Sequence, residues 1–172
     1  LVDTCTMWCE AVPLTTIDAK KVADTLVNIF TRVGFPDQIL TDNGSQFTGK
    51  LMQEVFHLLH SHHVRTSPYH PQSNGQVERF NGTLISILRK LCDEKPETWD
   101  TYIPAALFAY REVPHATTGF SPATLLFGRP IAGPLEVMKK TWTDEHIDET
   151  VKTAPQYVKE LQEKLHTSWK IA

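Results

Sequence analysis

Apolar residues recur along the chain at two periods, and the alternation between them outlines a fold. Val22, Ala23, Leu26, Val27, Phe30 and Val33 fall at the three- and four-residue steps of one helix face. The helix they predict starts at Thr16 and stops at Gly34-Phe35-Pro36. Before it, "MWCEAVPL" (Met7 to Leu14) has strand-like content closed by Pro13. After it come the short apolar run of "DQILTD", a candidate buried strand, and then Leu51, Met52, Val55, Phe56 and Leu59 at helical spacing. A histidine-rich tract follows, and "VRTSP" reads as the next strand. Strand, helix, strand, helix, strand predicts an α/β protein whose sheet contains parallel members.

Tyr69 to Gly75 is polar and has no period, so it reads as a loop. From there Val77, Phe80, Leu84, Ile87, Leu88 and Leu91 make a helical stripe, with Glu78 in its first turn, one residue off the buried face. A helix N-terminus favours a carboxylate by about 0.3–1 kcal/mol, so the position alone demands no chemistry. Trp99, Tyr102, Phe108 and Tyr110 sit in a helical stretch ending near "REVPHATTG" and are expected to serve core and dimer-face packing. Val151, Ala154, Val158, Leu161 and Leu165 have the spacing of a coiled-coil seam, with Pro155 limiting where the helix starts. A helix packed on its own core is the expectation there.

Composition narrows the class. With 172 residues and 41% hydrophobic content the chain can bury one sizeable core plus a tail. A net charge of −3 and a pI near 6.2 exclude a globally basic nucleic-acid binder, so a polyanion must be met by a local patch. No run of 18 apolar residues and no charged-then-apolar leader is present, which leads to the expectation of an intracellular protein without a membrane span. Cys5, Cys9 and Cys92 form no CxxC pair and suit reduced thiols. His57, His60, His62 and His63 lack cysteine partners and read as a polar helix end rather than a zinc site. The opening Leu1-Val2-Asp3, in mid apolar run, raises the expectation of a piece of a longer polypeptide or a decayed reading frame.

Asp42 closes the "DQILTD" strand and is followed by Asn43-Gly44, an ordinary turn pair on its own. Residues 43–77, 35 in all, separate it from Glu78. Three long words surround the two carboxylates: "LTDNGSQFTGKL", "TSPYHPQSNGQVERFNGTL" and "WDTYIPAALFAYREVPHATTGFSPATLLFGRP". In order and spacing, from Val2 to Pro134, the chain resembles the integrase catalytic core of the retroviral integrase and transposase superfamily. The third word is similar to gypsy-class LTR retrotransposons and the vertebrate genes descended from them.

The resemblance implies a ribonuclease-H-like mixed sheet flanked by helices over residues 1–134, N-terminally incomplete, with 135–172 a linker and C-terminal helix. It implies a polynucleotidyl transferase that processes 3′ ends and transfers DNA strands in the nucleus, as a dimer or tetramer. The family holds two divalent cations, Mg²⁺ or Mn²⁺, on three carboxylates. Asp42 and Glu78 match the second and third of these. The first is not in the chain, because Asp3 opens the later Asp-x-x-Thr-x-Trp word (Asp3 to Trp8) and matches a non-catalytic acid. The central first strand that carries it is then expected to be missing as well. DNA contact is implied for Asn43, for the loop residues Tyr69, His70, Gln72, Ser73 and Asn74, and for Arg79, Arg89 and Lys90, with Arg65 as a further phosphate contact. Gly82 and Ile85 stand where the family has lysines, which removes part of that contact. The alternative is a catalytically inactive, domesticated or decayed core that binds nucleic acid or protein.

Overall fold

The computed structural model describes residues 1–66, 75–93, 95–134 and 154–171. They form two compact units, one of Glu10–Ile103 and one joining Leu1–Cys9 to Pro104–Ala172.

In the unit of residues 10–103, helix α1 spans Ala19–Val33. It begins three residues after Thr16 because Asp18 is its N-cap: the carboxylate accepts the Lys21 N–H at 2.9 Å and the Thr16 hydroxyl at 2.8 Å. It ends where the sequence places the stop, with Gly34 at φ 99° and its N–H donated to the Phe30 carbonyl at 2.8 Å. Strand β1 (Gln38–Thr41), the short helix α2 (Ser45–Thr48), α3 (Lys50–Leu58) and β2 (His62–Arg65) follow. Val22, Ala23, Ile29 and Phe30 of α1 bury against Ile39 of β1 and Met52 and Phe56 of α3, with Phe47 and Val55 at the margin. Each large apolar side chain removed from water here contributes about 1.5–3 kcal/mol.

β1 and β2 pair in parallel, with Gln38 opposite His62 and Thr41 opposite Arg65. Among the described residues this is the whole sheet, two strands where a larger mixed sheet was expected. Met7 to Leu14 does not make a strand. Asp3 closes a tight turn instead, its N–H donated to the Trp8 carbonyl and its own carbonyl accepting the Met7 N–H, and only an antiparallel bridge between Val2 and Cys9 remains. The Asp3 carboxylate competes with any ladder by accepting the Thr6 N–H and hydroxyl.

β2 also begins earlier than "VRTSP". Helix α3 stops in a Schellman motif with His60 in the left-handed region at φ 54°, the Ser61 N–H reaching Phe56 and the His60 N–H reaching His57, both at 3.0 Å. The Ser61 hydroxyl donates to the Pro36 carbonyl at 2.7 Å, which sets His62 beside Asp37 to start the ladder. Of the histidines read as a polar helix end, only His57 is helical; His62 and His63 are strand residues.

Helix α4 (Gly75–Leu91) buries Phe80, Leu84 and Leu88 along one stripe, and a 3₁₀ helix, Pro96–Tyr102, packs on it. Trp99 and Tyr102 are exposed rather than core residues.

The other unit contains α5 (Ile103–Glu112), α6 (Pro122–Phe127) and α7 (Ala154–Ile171). Arg111 lies 4.0 Å over the Trp8 ring and donates to the Cys9 carbonyl from Nε (3.0 Å) and Nη2 (2.6 Å), while Phe127 meets the same indole edge-on. Ser121 caps α6 and Gly128 ends it at φ 68°. Leu161 and Leu165 of α7 close over Gly128, so the seam of that helix is used within its own unit.

Candidate active site

The parallel ladder fixes the environment of Asp42. β1 delivers it one residue past Thr41, onto the protein surface. Its Oδ1 accepts the Gly44 N–H at 3.0 Å, an Asx turn that leaves Oδ2 with no protein partner among the described residues. Three contacts tie this strand end to β2. The Thr66 N–H donates to the Thr41 carbonyl at 2.9 Å, the Asn43 side-chain amide donates to the Thr66 carbonyl at 3.1 Å, and the Thr41 hydroxyl lies 2.8 Å from His63 Nε2. Asn43, expected at DNA, is therefore committed through its amide nitrogen to the backbone.

His63 packs its ring on Phe56 at 4.4 Å between centroids. Burial, and secondarily the positive charges of Arg65 and His62, holds its pKa below the ordinary 6.5. Neither Thr41 nor His63 is legible as a site residue from sequence, since only the register of β1 against β2 brings them together.

Glu78 stands in the first turn of α4 with its carboxylate exposed and unpartnered among the described residues. Arg79, Arg89 and Lys90 are exposed on the same helix, and Arg65, opposite Thr41, is exposed at the ladder's end. Tyr69, His70, Gln72, Ser73 and Asn74 lie outside the described residues.

Two carboxylates are hard oxygen donors that suit Mg²⁺ or Mn²⁺. Yet no group of three His, Cys, Asp or Glu side chains able to hold a metal occurs among the described residues. Asp3 adds nothing, because its oxygens serve the Thr6 N–H and hydroxyl and the Cys5 N–H. Asp42 and Glu78 thus supply oxygen donors of the right kind for such a cation.

Residues 1–71 match the family described as Integrase core domain. The Gag-Pol polyprotein of Walleye dermal sarcoma virus is 37% identical over 133 residues, which is 76% of this chain and 8% of that polyprotein. The Pol polyprotein of Radiation murine leukemia virus is 38% identical over 131 residues, 75% of this chain and 22% of the relative. The chain thus spans less than a quarter of the length of either. Among solved structures, a chain of the simian T-cell lymphotropic virus intasome in complex with PP2A regulatory subunit B56 gamma superposes with a TM-score of 0.68 at 26% identity, covering 77% of this chain and 50% of that one. The HTLV-2 integrase catalytic core domain in complex with magnesium, in its trimeric form, gives 0.63 at 23% identity over 73% of this chain and 80% of that one. The fold neighbours are therefore integrase cores of the ribonuclease-H-like class. No helix among the described residues is long and apolar enough to cross a membrane.

Proposed function

We propose, on the premise that residues 1–71 carry an integrase core domain with retroviral relatives, that the chain is the major part of the catalytic core of a gypsy-class retrotransposon integrase. Its substrate is DNA, and its reactions are 3′-end processing and strand transfer of phosphodiester bonds. The observation that carries this reading is the presentation of Asp42: a carboxylate at a strand end, exposed, with one oxygen fixed by the Gly44 N–H and the other without a partner among the described residues. Asp42 and Glu78 hold Mg²⁺ or Mn²⁺ with a third carboxylate, which Asp3, committed to Thr6 and Cys5, does not supply. Bound there, such cations supply stabilisation of the attacking and leaving oxygens. Arg65, Arg79, Arg89 and Lys90 meet phosphates. The protein works in the nucleus as a homo-oligomer.

One observation favours a second reading, a catalytically silent derivative that keeps the shape for binding. No group of three His, Cys, Asp or Glu side chains that could hold a metal occurs among the described residues. The test is metal-dependent nicking and strand transfer by the chain extended with a strand carrying the first Asp. Asp42→Asn and Glu78→Gln are each expected to abolish both activities with the circular-dichroism spectrum unchanged. Full activity in either variant overturns the assignment, and an inactive extended parent favours the silent derivative.

A further inference from the structure

The strand end that carries Asp42 is held by a side-chain relay as well as by the ladder. The Thr41 hydroxyl lies 2.9 Å from the Asp42 carbonyl oxygen and 2.8 Å from His63 Nε2. A hydroxyl has a single proton. Given to the Asp42 carbonyl, it leaves the oxygen as acceptor, so His63 donates from Nε2–H and the relay runs His63 to Thr41 to the Asp42 backbone. The imidazole is itself fixed by its stack on Phe56, a side chain of the α1–α3 core that is 2% exposed.

We propose that His63, acting through Thr41, is a positioning residue that fixes the backbone of Asp42 and so sets the direction in which its carboxylate faces a divalent cation. This rests on the reading of Asp42 as a cation ligand. Without the relay, the Asp42 peptide is held to β2, among the described residues, from its neighbours, by the Thr66 N–H at Thr41 and by the Asn43 amide. The Asx bond from Gly44 to Oδ1 then turns with it, which makes the Gly44 amide the natural reporter. The two bonds polarise one another, so losing His63 weakens the Thr41–Asp42 bond and losing the Thr41 hydroxyl removes both.

The experiment uses the 172-residue chain and two readouts by NMR: amide exchange at Gly44 and Thr66 against amides of α1 and α3, and Mn²⁺-induced broadening of residues 42–44. His63→Phe keeps a ring over Phe56 and removes the bond to Thr41; Thr41→Val removes that bond and the one to the Asp42 carbonyl; Thr41→Ser keeps the hydroxyl. Exchange at Gly44 and Thr66 is expected to rise about five-fold in the first two variants, the size of one net hydrogen bond, and to stay at the parent rate in Thr41→Ser. The double variant is expected to match Thr41→Val, which already removes both bonds. The Mn²⁺ concentration for half-broadening is expected to rise in step.

Parent-like exchange at Gly44 in His63→Phe overturns the proposal. So does an equal rise in α1 and α3, which marks a merely structural role, and so does an unchanged Mn²⁺ midpoint in variants whose exchange has risen. A parent whose residues 42–44 do not respond to millimolar Mn²⁺ overturns the cation reading of Asp42 and the positioning role with it; a responsive parent whose variants keep the parent's Mn²⁺ midpoint removes the positioning role alone. Should His63→Phe fail to fold, Thr41→Val tests the same bond and is read the same way.

Discussion

Gly128 is placed where a single methyl group tests the seat of α7. Two separate terms oppose Gly128→Ala. The residue ends α6 at φ 68°, a left-handed conformation that costs an L-residue about 1–2 kcal/mol. A Cβ there would lie 2.5 Å from Leu161 Cδ1, 3.0 Å from Leu165 Cγ and 3.2 Å from Leu165 Cδ2. The Leu161 methyl can rotate away, but the branched carbon of Leu165 moves only if the helix moves, and overpacking of this kind costs about 1–3 kcal/mol. Together they predict a loss of about 2–5 kcal/mol, a large share of the stability of an ordinary domain. Urea denaturation followed by circular dichroism measures it as a lower midpoint, and hydrogen exchange in α7 shows whether that helix loosens first. Adding Leu165→Ala makes room for the new methyl, so the double variant should lose less than the sum of the two single losses. A Gly128→Ala protein as stable as the parent, or strict additivity in the double variant, refutes the close packing of α7 on α6.

Two further outcomes follow from the turn into β2 and from the strand itself. His60→Gly should raise the urea midpoint, because removing the left-handed penalty of about 1–2 kcal/mol outweighs the roughly 0.4–1 kcal/mol of unfolded-chain entropy that glycine adds; a lower midpoint contradicts the Schellman geometry. For His63 the folded pKa lies below 6.5, so between that depressed value and pH 6.5 the unfolded chain binds more protons than the folded one. Stability is therefore complete above pH 6.5, falls as pH drops through this window and levels off below it, and His63→Phe should flatten that part of a stability-against-pH curve.

What the sequence disclosed and what it hid divide along physical lines. α1, β1, α3 and α4 were legible because each announces itself locally, by periodic apolar residues and by a glycine or proline stop, as at Gly34. The strand expected from Met7 was not, because the apolar character of Met7, Trp8 and Cys9 reflects burial, while the Asp3 and Thr6 side chains decide the backbone. β2 began early for a similar reason. A Schellman motif normally signals itself by glycine, and here a histidine takes the left-handed position with no trace in the pattern. Spacing and surrounding words single out Asp42 and Glu78, and the elements read around them, a strand end and a first helix turn, are the ones observed. The Thr41–His63 contact was hidden, since it depends on which residue of β1 faces which residue of β2, and a slip of one position would turn both side chains to other faces.

α4 carries the remaining argument about DNA. Phe80, Leu84 and Leu88 fix which side is buried, and at 3.6 residues per turn Glu78, Gly82, Ile85 and Arg89 then share the outward side. Glu78 and Arg89 are eleven positions apart, about 16 Å along the axis. The order, acid at the N-terminus and base at the C-terminus, is the one the helix dipole prefers, so it stabilises the helix with no nucleic acid present. For a polyanion lying along that side it means attraction at Arg89 and Lys90 and repulsion at Glu78. With Gly82 and Ile85 between them supplying no charge, phosphate contacts are few, and log affinity should fall with log salt at roughly −0.9 per contact, a total slope of about −2 to −4. Charge reversal at Arg89 and Lys90 should weaken binding to every sequence alike and make the slope shallower. Glu78→Gln should strengthen binding in EDTA, where only its repulsion is lost, and weaken it in Mg²⁺, where the carboxylate is needed to hold the neutralising cation. Fluorescence anisotropy with a short duplex across a salt series reads both. If Glu78→Gln has the same effect with and without Mg²⁺, Glu78 does not hold a cation against DNA, and α4 presents a surface to some other partner.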